Sequence, residues 1–131
     1  MNLSELPIDT IEALMDKLPV DISFVDENDV VKFFNTPARG RIFPRTKMDL
    51  GRKVQNCHPP KSVHMVNKIL DGFKNGTMDD APFWLNLGGK LIYINYFPVR
   101  SKDGKYLGTL EVTQDITDIK KLEGEKRLLD E

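Results

Sequence analysis

Cys57, His58 and His64 are the one cysteine and the two histidines of the chain, and they fall in one short stretch. All three are metal-ligand types, and a cysteine among cations can act as a nucleophile. A structural zinc site normally takes four such ligands at recognisable spacing. His58 and His64 are separated by Pro59 and Pro60 among others, so they are not the i, i+4 pair that a helix offers to zinc. Arg52, Lys53 and Lys61 lie near Cys57 in sequence, the cationic setting in which thiols become reactive, but the chain has no second cysteine to resolve an oxidised one. A buried, inert thiol is the expectation. The chain contains no P-loop, no HExxH and no recognisable Ser-His-Asp arrangement. With no visible cluster of titratable groups, a non-enzymatic role is expected.

The elements that would position these residues can be read from periodicity. Ile8, Ile11, Leu14, Met15 and Leu18 recur at helical spacing, with Asp9 or Thr10 as the candidate cap and Pro19 as the stop. The apolar stripe of that helix must be covered by the domain or by a second copy. Segments 21–25 and 30–35 flank the polar turn Asp26-Glu27-Asn28-Asp29 and read as a hairpin. Pro37, Gly40, Pro44 and Gly51 then break the chain, leaving room for a helical turn near residues 46–50. Residues 61–73 form a clear helix. Val63, Val66, Ile69, Leu70 and Phe73 share one face, while His64, Asn67, Lys68 and Asp71 share the opposite, water-facing one. Asn75-Gly76 ends it. Three strands follow at 83–87, 91–99 and 106–114, separated by Gly88-Gly89 and by Ser101-Lys102-Asp103-Gly104. Ile116, Ile119, Leu122 and Leu129 suggest a charged tail helix that Gly124 weakens. A leading hairpin, a helical middle and a trailing meander predict an antiparallel α+β domain with helices on one face.

The formal net charge is -1, from 19 basic and 20 acidic residues. That balance offers nothing to neutralise a phosphate backbone, so no nucleic-acid partner is expected. No apolar run approaches the roughly 20 residues that span a bilayer, and no secretory leader is evident, so no membrane partner is expected either. A lone cysteine suits a reducing, cytoplasmic setting.

The hairpin sequence Phe24 through Asn35, Gly51-Arg52 ahead of His58-Pro59, Pro98-Val99-Arg100, Asp103-Gly104, Leu107-Gly108 and Asp115-Ile116-Thr117 together resemble the PAS family. Cys57-His58-Pro59-Pro60 and Phe83-Trp84 further resemble a PAS subgroup found beside hemerythrin-like domains in bacteria and archaea, which implies a prokaryotic source. The resemblance implies a five-stranded antiparallel sheet and a ligand pocket under the long helix. It also implies homodimerisation and a signalling helix after the last strand. The sensor domain would occupy residues 19–117, between an N-terminal helix (1–18) and a C-terminal linker helix (118–131).

Candidate pocket residues are Cys57, His58, His64, Val66, Leu70, Trp84, Tyr93, Asn95 and Phe97. Tyr93, Asn95 and Phe97 share one strand face, and Ile92, Ile94 and Tyr96 share the other; sequence alone does not choose between them. Haem-binding relatives place the iron ligand on the long helix, which singles out His64, although its helical phase sets it with the water-facing residues. Flavin photochemistry fits less well, because the Asn-Cys-Arg motif of light-sensing relatives is absent and Cys57 comes too late after Gly51-Arg52. Asp115, Ile116 and Thr117 are the candidate relay from the last strand to the tail. The expected function is capture of a small molecule or cofactor and relay of its state through the terminal helices. The rival is a ligand-free dimerisation or interaction module.

Overall fold

The computed structural model describes residues 2–129. The chain runs through helix α1 (Ile8–Lys17), strands β1 (Asp21–Asp26) and β2 (Val31–Phe34), helix α2 (Val63–Lys74), and strands β3 (Ala81–Leu87), β4 (Lys90–Arg100) and β5 (Tyr106–Asp115). The five strands form one antiparallel sheet in the order β2-β1-β5-β4-β3. The last strand therefore inserts between the first hairpin and the meander, and β5 is the centre of the sheet.

Between β2 and α2 the chain uses short 3-10 turns rather than long elements. The turn Lys47–Asp49 falls where residues 46–50 predict one, with a capping box between Thr46 and Asp49. α2 is preceded by a separate turn, Pro60–Ser62, so the long helix begins later than position 61. Pro82 lies within β3, a position open to proline because β3 is an edge strand.

Val25, Val31, Val54 and Leu70 form the core cluster under α2, with Cys57 and Val66 packed against it. Phe73, Ile92 and Ile94 are also buried. This places α2 over the sheet face that carries Val25, Ile94 and Tyr96.

A second knot is polar. Asn35 is fully buried at the end of β2. Its Oδ1 accepts from Ile22 N at 2.8 Å and from Arg41 Nη1 at 3.1 Å, and its Nδ2 donates to the carbonyls of Met15 and Val20, both at 2.9 Å. Arg41 also donates to the carbonyls of Ile22, Asn35 and Phe43 and to Ser23 Oγ. Asp21, 1% exposed, accepts from Ile42 N and pairs with Arg39 at 3.2 Å. These bonds strap the loop of residues 36–45 to the sheet. Asn35→Ala strands several of these buried groups, each costing about 1–3 kcal/mol when unpaired. The expected loss is about 3 kcal/mol, a drop of roughly 10 °C in the calorimetric melting temperature; a change under about 1 °C would contradict this role.

Two terminal expectations differ from the structure. α1 starts at Ile8 after Pro7 with no side-chain cap, so neither Asp9 nor Thr10 caps it; both lie inside its first turn. The tail forms only the 3-10 turn Ile119–Lys121, not a helix, and residues 130 and 131 of the expected segment lie outside the described residues. Gly124 takes a positive φ of 63°, and Leu122 and Leu128 are exposed. So short a segment needs tertiary packing to remain helical, and these leucines have none.

Candidate functional site

The inner face of the sheet and α2 do not close on each other. Between them lies a cleft of about 1010 Å³. Its helix wall carries Met65, Val66, Lys68 and Ile69; its floor carries Phe83, Leu85, Ile94, Tyr96 and Glu111. The third wall is Phe43, Pro44 and Arg45, the end of the loop that Asn35, Arg41 and Asp21 hold in place. Cys57, His58 and Pro59 border the remaining side. A recess of about 30 Å³ continues inward past His58 and Ile69 to Val25, Val54, Leu70 and Thr109.

Strand alternation explains which side chains reach the cleft. In the β3–β4 register Phe83 opposes Ile94, and Trp84 opposes Tyr93. In the β4–β5 register Tyr96 opposes Glu111, and Asn95 opposes Val112. Ile94, Tyr96, Phe83 and Glu111 thus share the cleft face. The Phe83 and Tyr96 rings stack there, with centroids 5.9 Å apart.

The candidate residues are thereby divided. Cys57, His58 and Val66 line the cleft and Leu70 lines the recess. Trp84, Tyr93, Asn95 and Phe97 lie on the opposite sheet face, where Trp84 and Tyr93 stack at 6.3 Å and Trp84 is 64% exposed. Asn95 Oδ1 instead accepts from Ala81 N at 3.2 Å. His64 is exposed and outside the cleft lining, on the helix face that its spacing predicts. Among the cleft residues absent from the sequence-based candidates are Arg45, Phe83, Tyr96 and Glu111. One usable signal is the all-aliphatic pair Ile92 and Ile94, which marks the more apolar face of β4 and carries Tyr96 with it.

The polar groups of the cleft are Cys57, His58, Ser62 and Tyr96, with the charged side chains of Arg45, Lys68, Asp80 and Glu111. Burial pushes the Tyr96 phenol far above its ordinary value, and the Glu111 carboxylate adds to the shift, so the hydroxyl keeps its proton. His58 sets Nδ1 3.0 Å from the carbonyl of Val54, which can only accept; that nitrogen therefore carries the hydrogen. Cys57 Sγ lies 3.8 Å from the carbonyl of Lys53. Among the described residues no group of three or more His, Cys, Asp or Glu is arranged to hold a metal ion.

At the far end of the sheet, Asp115 Oδ1 accepts from Thr117 Oγ1 at 2.6 Å and from Thr117 N at 3.0 Å. These two bonds hold the Asp115 carboxyl below its usual range. Thr117 Oγ1 accepts from Leu91 N at 2.9 Å, and Ile116 N donates to the Leu91 carbonyl at 2.9 Å. The exit from β5 is therefore stitched to the start of β4, the strand that carries Ile94 and Tyr96 into the cleft.

Residues 11–117 match the family described as PAS domain. The C-terminal domain of a Streptococcus mutans protein is 34% identical, with a TM-score of 0.83, over 90% of this chain and 91% of that one. A PAS domain from Colwellia psychrerythraea (16% identity, TM-score 0.59, 85% and 98% covered) is similar in fold. So is a sensory box sensor histidine kinase from Vibrio cholerae (16%, 0.58, 82% and 90%). No curated protein matches the chain. Among the described residues no helix is long and apolar enough to cross a membrane.

Proposed function

The chain belongs to the PAS domain family, and from that membership we propose that it is a sensory module capturing a small molecule between α2 and the sheet. The cleft carries this reading. Its size reaches the upper end of the about 300–1,000 Å³ typical of small-molecule sites, and its walls are mainly apolar with a few convergent polar groups. A ligand that favours one packing of α2 on the sheet shifts the population toward that packing. β4 would carry the shift to Leu91, and Ile116 and Thr117 would pass it to the residues that follow β5.

Native mass spectrometry of protein purified without reconstitution tests the proposal. The expected result is a bound mass that denaturation releases. Returning the released compound should shift the amide resonances of Leu91 and Thr117 as well as those of Ile69. A clean apo mass, with no resonance moved by small-molecule mixtures, would leave the ligand-free interaction module in its place.

The residues do not fit haem held by His64, which is exposed and lies away from the cleft. Any visible absorption band of the purified protein is expected to survive His64→Ala unchanged, as read in the 400 nm region; its loss would restore His64 as a ligand. A second reading, self-association, is favoured by the α1 stripe. Ile8, Leu14 and Leu18 are 68%, 52% and 41% exposed, so the domain leaves them uncovered. The native mass decides that question in the same experiment.

A further inference from the structure

We infer that the cleft takes a flat, uncharged molecule whose polar edge pairs an N–H donor, read by Glu111, with an oxygen acceptor, read by Arg45. The inference rests on the small-molecule reading above and narrows it to a chemical class, that of primary amides and lactams on an aromatic or similarly flat body.

Glu111 lies on β5, the central strand, with Tyr96 and Ser23 opposite it on the two neighbouring strands. Its carboxylate accepts from Thr113 Oγ1 at 3.5 Å, the outer limit of a hydrogen bond, and its charge acts on the Tyr96 phenol across the β4–β5 pair. A carboxylate offers about four acceptor positions, so capacity remains for a further donor. Among the described residues no lysine or arginine forms an ion pair with it. Arg41 is close enough to feel its charge, but its N–H groups are committed to Ser23 and to the carbonyls of Ile22, Asn35 and Phe43. The floor of the cleft therefore presents an acceptor-only group beside the protonated Tyr96 hydroxyl, and it calls for a donor.

Arg45 has the opposite need. Its guanidinium lines the same cleft, acts electrostatically on Tyr96, and has no hydrogen bond or ion pair to a described residue. It calls for an acceptor. Lys68 and Asp80 line the cleft too, so its cations and anions balance; a cationic amine would suit Glu111 and be repelled by Arg45, and a carboxylate would suit Arg45 and be repelled by Glu111. A neutral edge that carries both a donor and an acceptor meets both needs. The stacked Phe83 and Tyr96 rings supply a flat bed, and Val66 and Ile69 face it from α2.

Benzamide, benzoate and toluene are the probes, titrated against the Met65 and Ile69 methyl resonances. Benzamide is expected to bind about tenfold more tightly than either control, because it alone meets both groups. Glu111→Gln and Arg45→Gln are each expected to weaken benzamide about five- to tenfold and to leave toluene unchanged. Glu111→Gln keeps the side-chain shape; circular dichroism of both variants guards against misfolding. Equal affinities for benzamide and toluene, tightest binding of benzoate, or indifference of benzamide to Glu111→Gln would each overturn the donor–acceptor inference while leaving a ligand cleft standing. If none of the three probes moves the cleft resonances, the small-molecule reading fails with it.

Discussion

Gly108→Ala should lower the unfolding free energy by about 4 kcal/mol. Gly108 sits in β5 with a φ of 154°, a backbone conformation that L side chains rarely adopt, and forcing a residue there costs about 1–3 kcal/mol. Space is also lacking. A Cβ built at this position would meet Phe24 Cζ at 2.5 Å and the Val25 carbonyl more closely still. The carbonyl belongs to the neighbouring strand, so neither side can yield without disturbing the β1–β5 pairing, and overpacking of this kind adds about 1–3 kcal/mol. Gly108 pairs with Asp26 on one side and Val99 on the other, beside the irregularity at Val99 and Arg100. Urea unfolding should show the loss as a lower midpoint with an unchanged slope. A loss under about 1 kcal/mol would mean that the strands can separate at this point without strain, contrary to the close approach described.

Gly108 also shows which features of the molecule are legible in its amino-acid sequence. Leu107-Gly108 helps to mark the final strand, yet the need for glycine lies in a carbonyl on a strand more than eighty positions earlier in the chain. Local patterns carry the order of elements well: the polar turn after Asp26, the Gly88-Gly89 hairpin and the apolar face of α2 each depend on near neighbours. Asn35 stands out as the residue closing the first hairpin. Its partners, however, come from α1, from β1 and from Arg41 in the following loop, and no periodicity reports such a meeting. The cleft is hidden for a similar reason. Both faces of β4 carry apolar and aromatic side chains, so alternation alone predicts two faces and only the Ile92 and Ile94 pair favours the inner one; Tyr93, Asn95 and Phe97 fall on the face away from the cleft. The tail fails differently. Its helical spacing is real, but Leu122 and Leu128 meet no packing surface, and spacing alone does not stabilise so short a helix.

Ile69→Trp should abolish ligand capture, weakening affinity by a hundredfold or more, while costing less than about 1 kcal/mol of stability. The reasoning turns on two adjacent residues of α2. Leu70 is 4% exposed and belongs to the packed cluster with Val25, Val31 and Val54. Ile69 lines both the cleft and its recess. An indole at position 70 has no room and should cost about 1–3 kcal/mol, the usual result of overpacking a dense core. An indole at position 69 enters open space above the Phe83 and Tyr96 rings, gains apolar burial there, and occupies the volume a ligand needs. The two variants should therefore separate stability from binding: Leu70→Trp melts early, whereas Ile69→Trp melts near the parent temperature and emerges from purification without the bound mass. Cys57 gives an independent readout, since it borders the same cleft and is the one thiol of the chain. Filling the cleft by Ile69→Trp should slow alkylation of Cys57, as a bound ligand should in the parent protein. If Ile69→Trp is as destabilising as Leu70→Trp, position 69 is packed core and the space assigned to a ligand is not available to one. If it is stable yet still carries the bound mass, the ligand sits elsewhere, and the route from cleft through β4 to Thr117 falls with it.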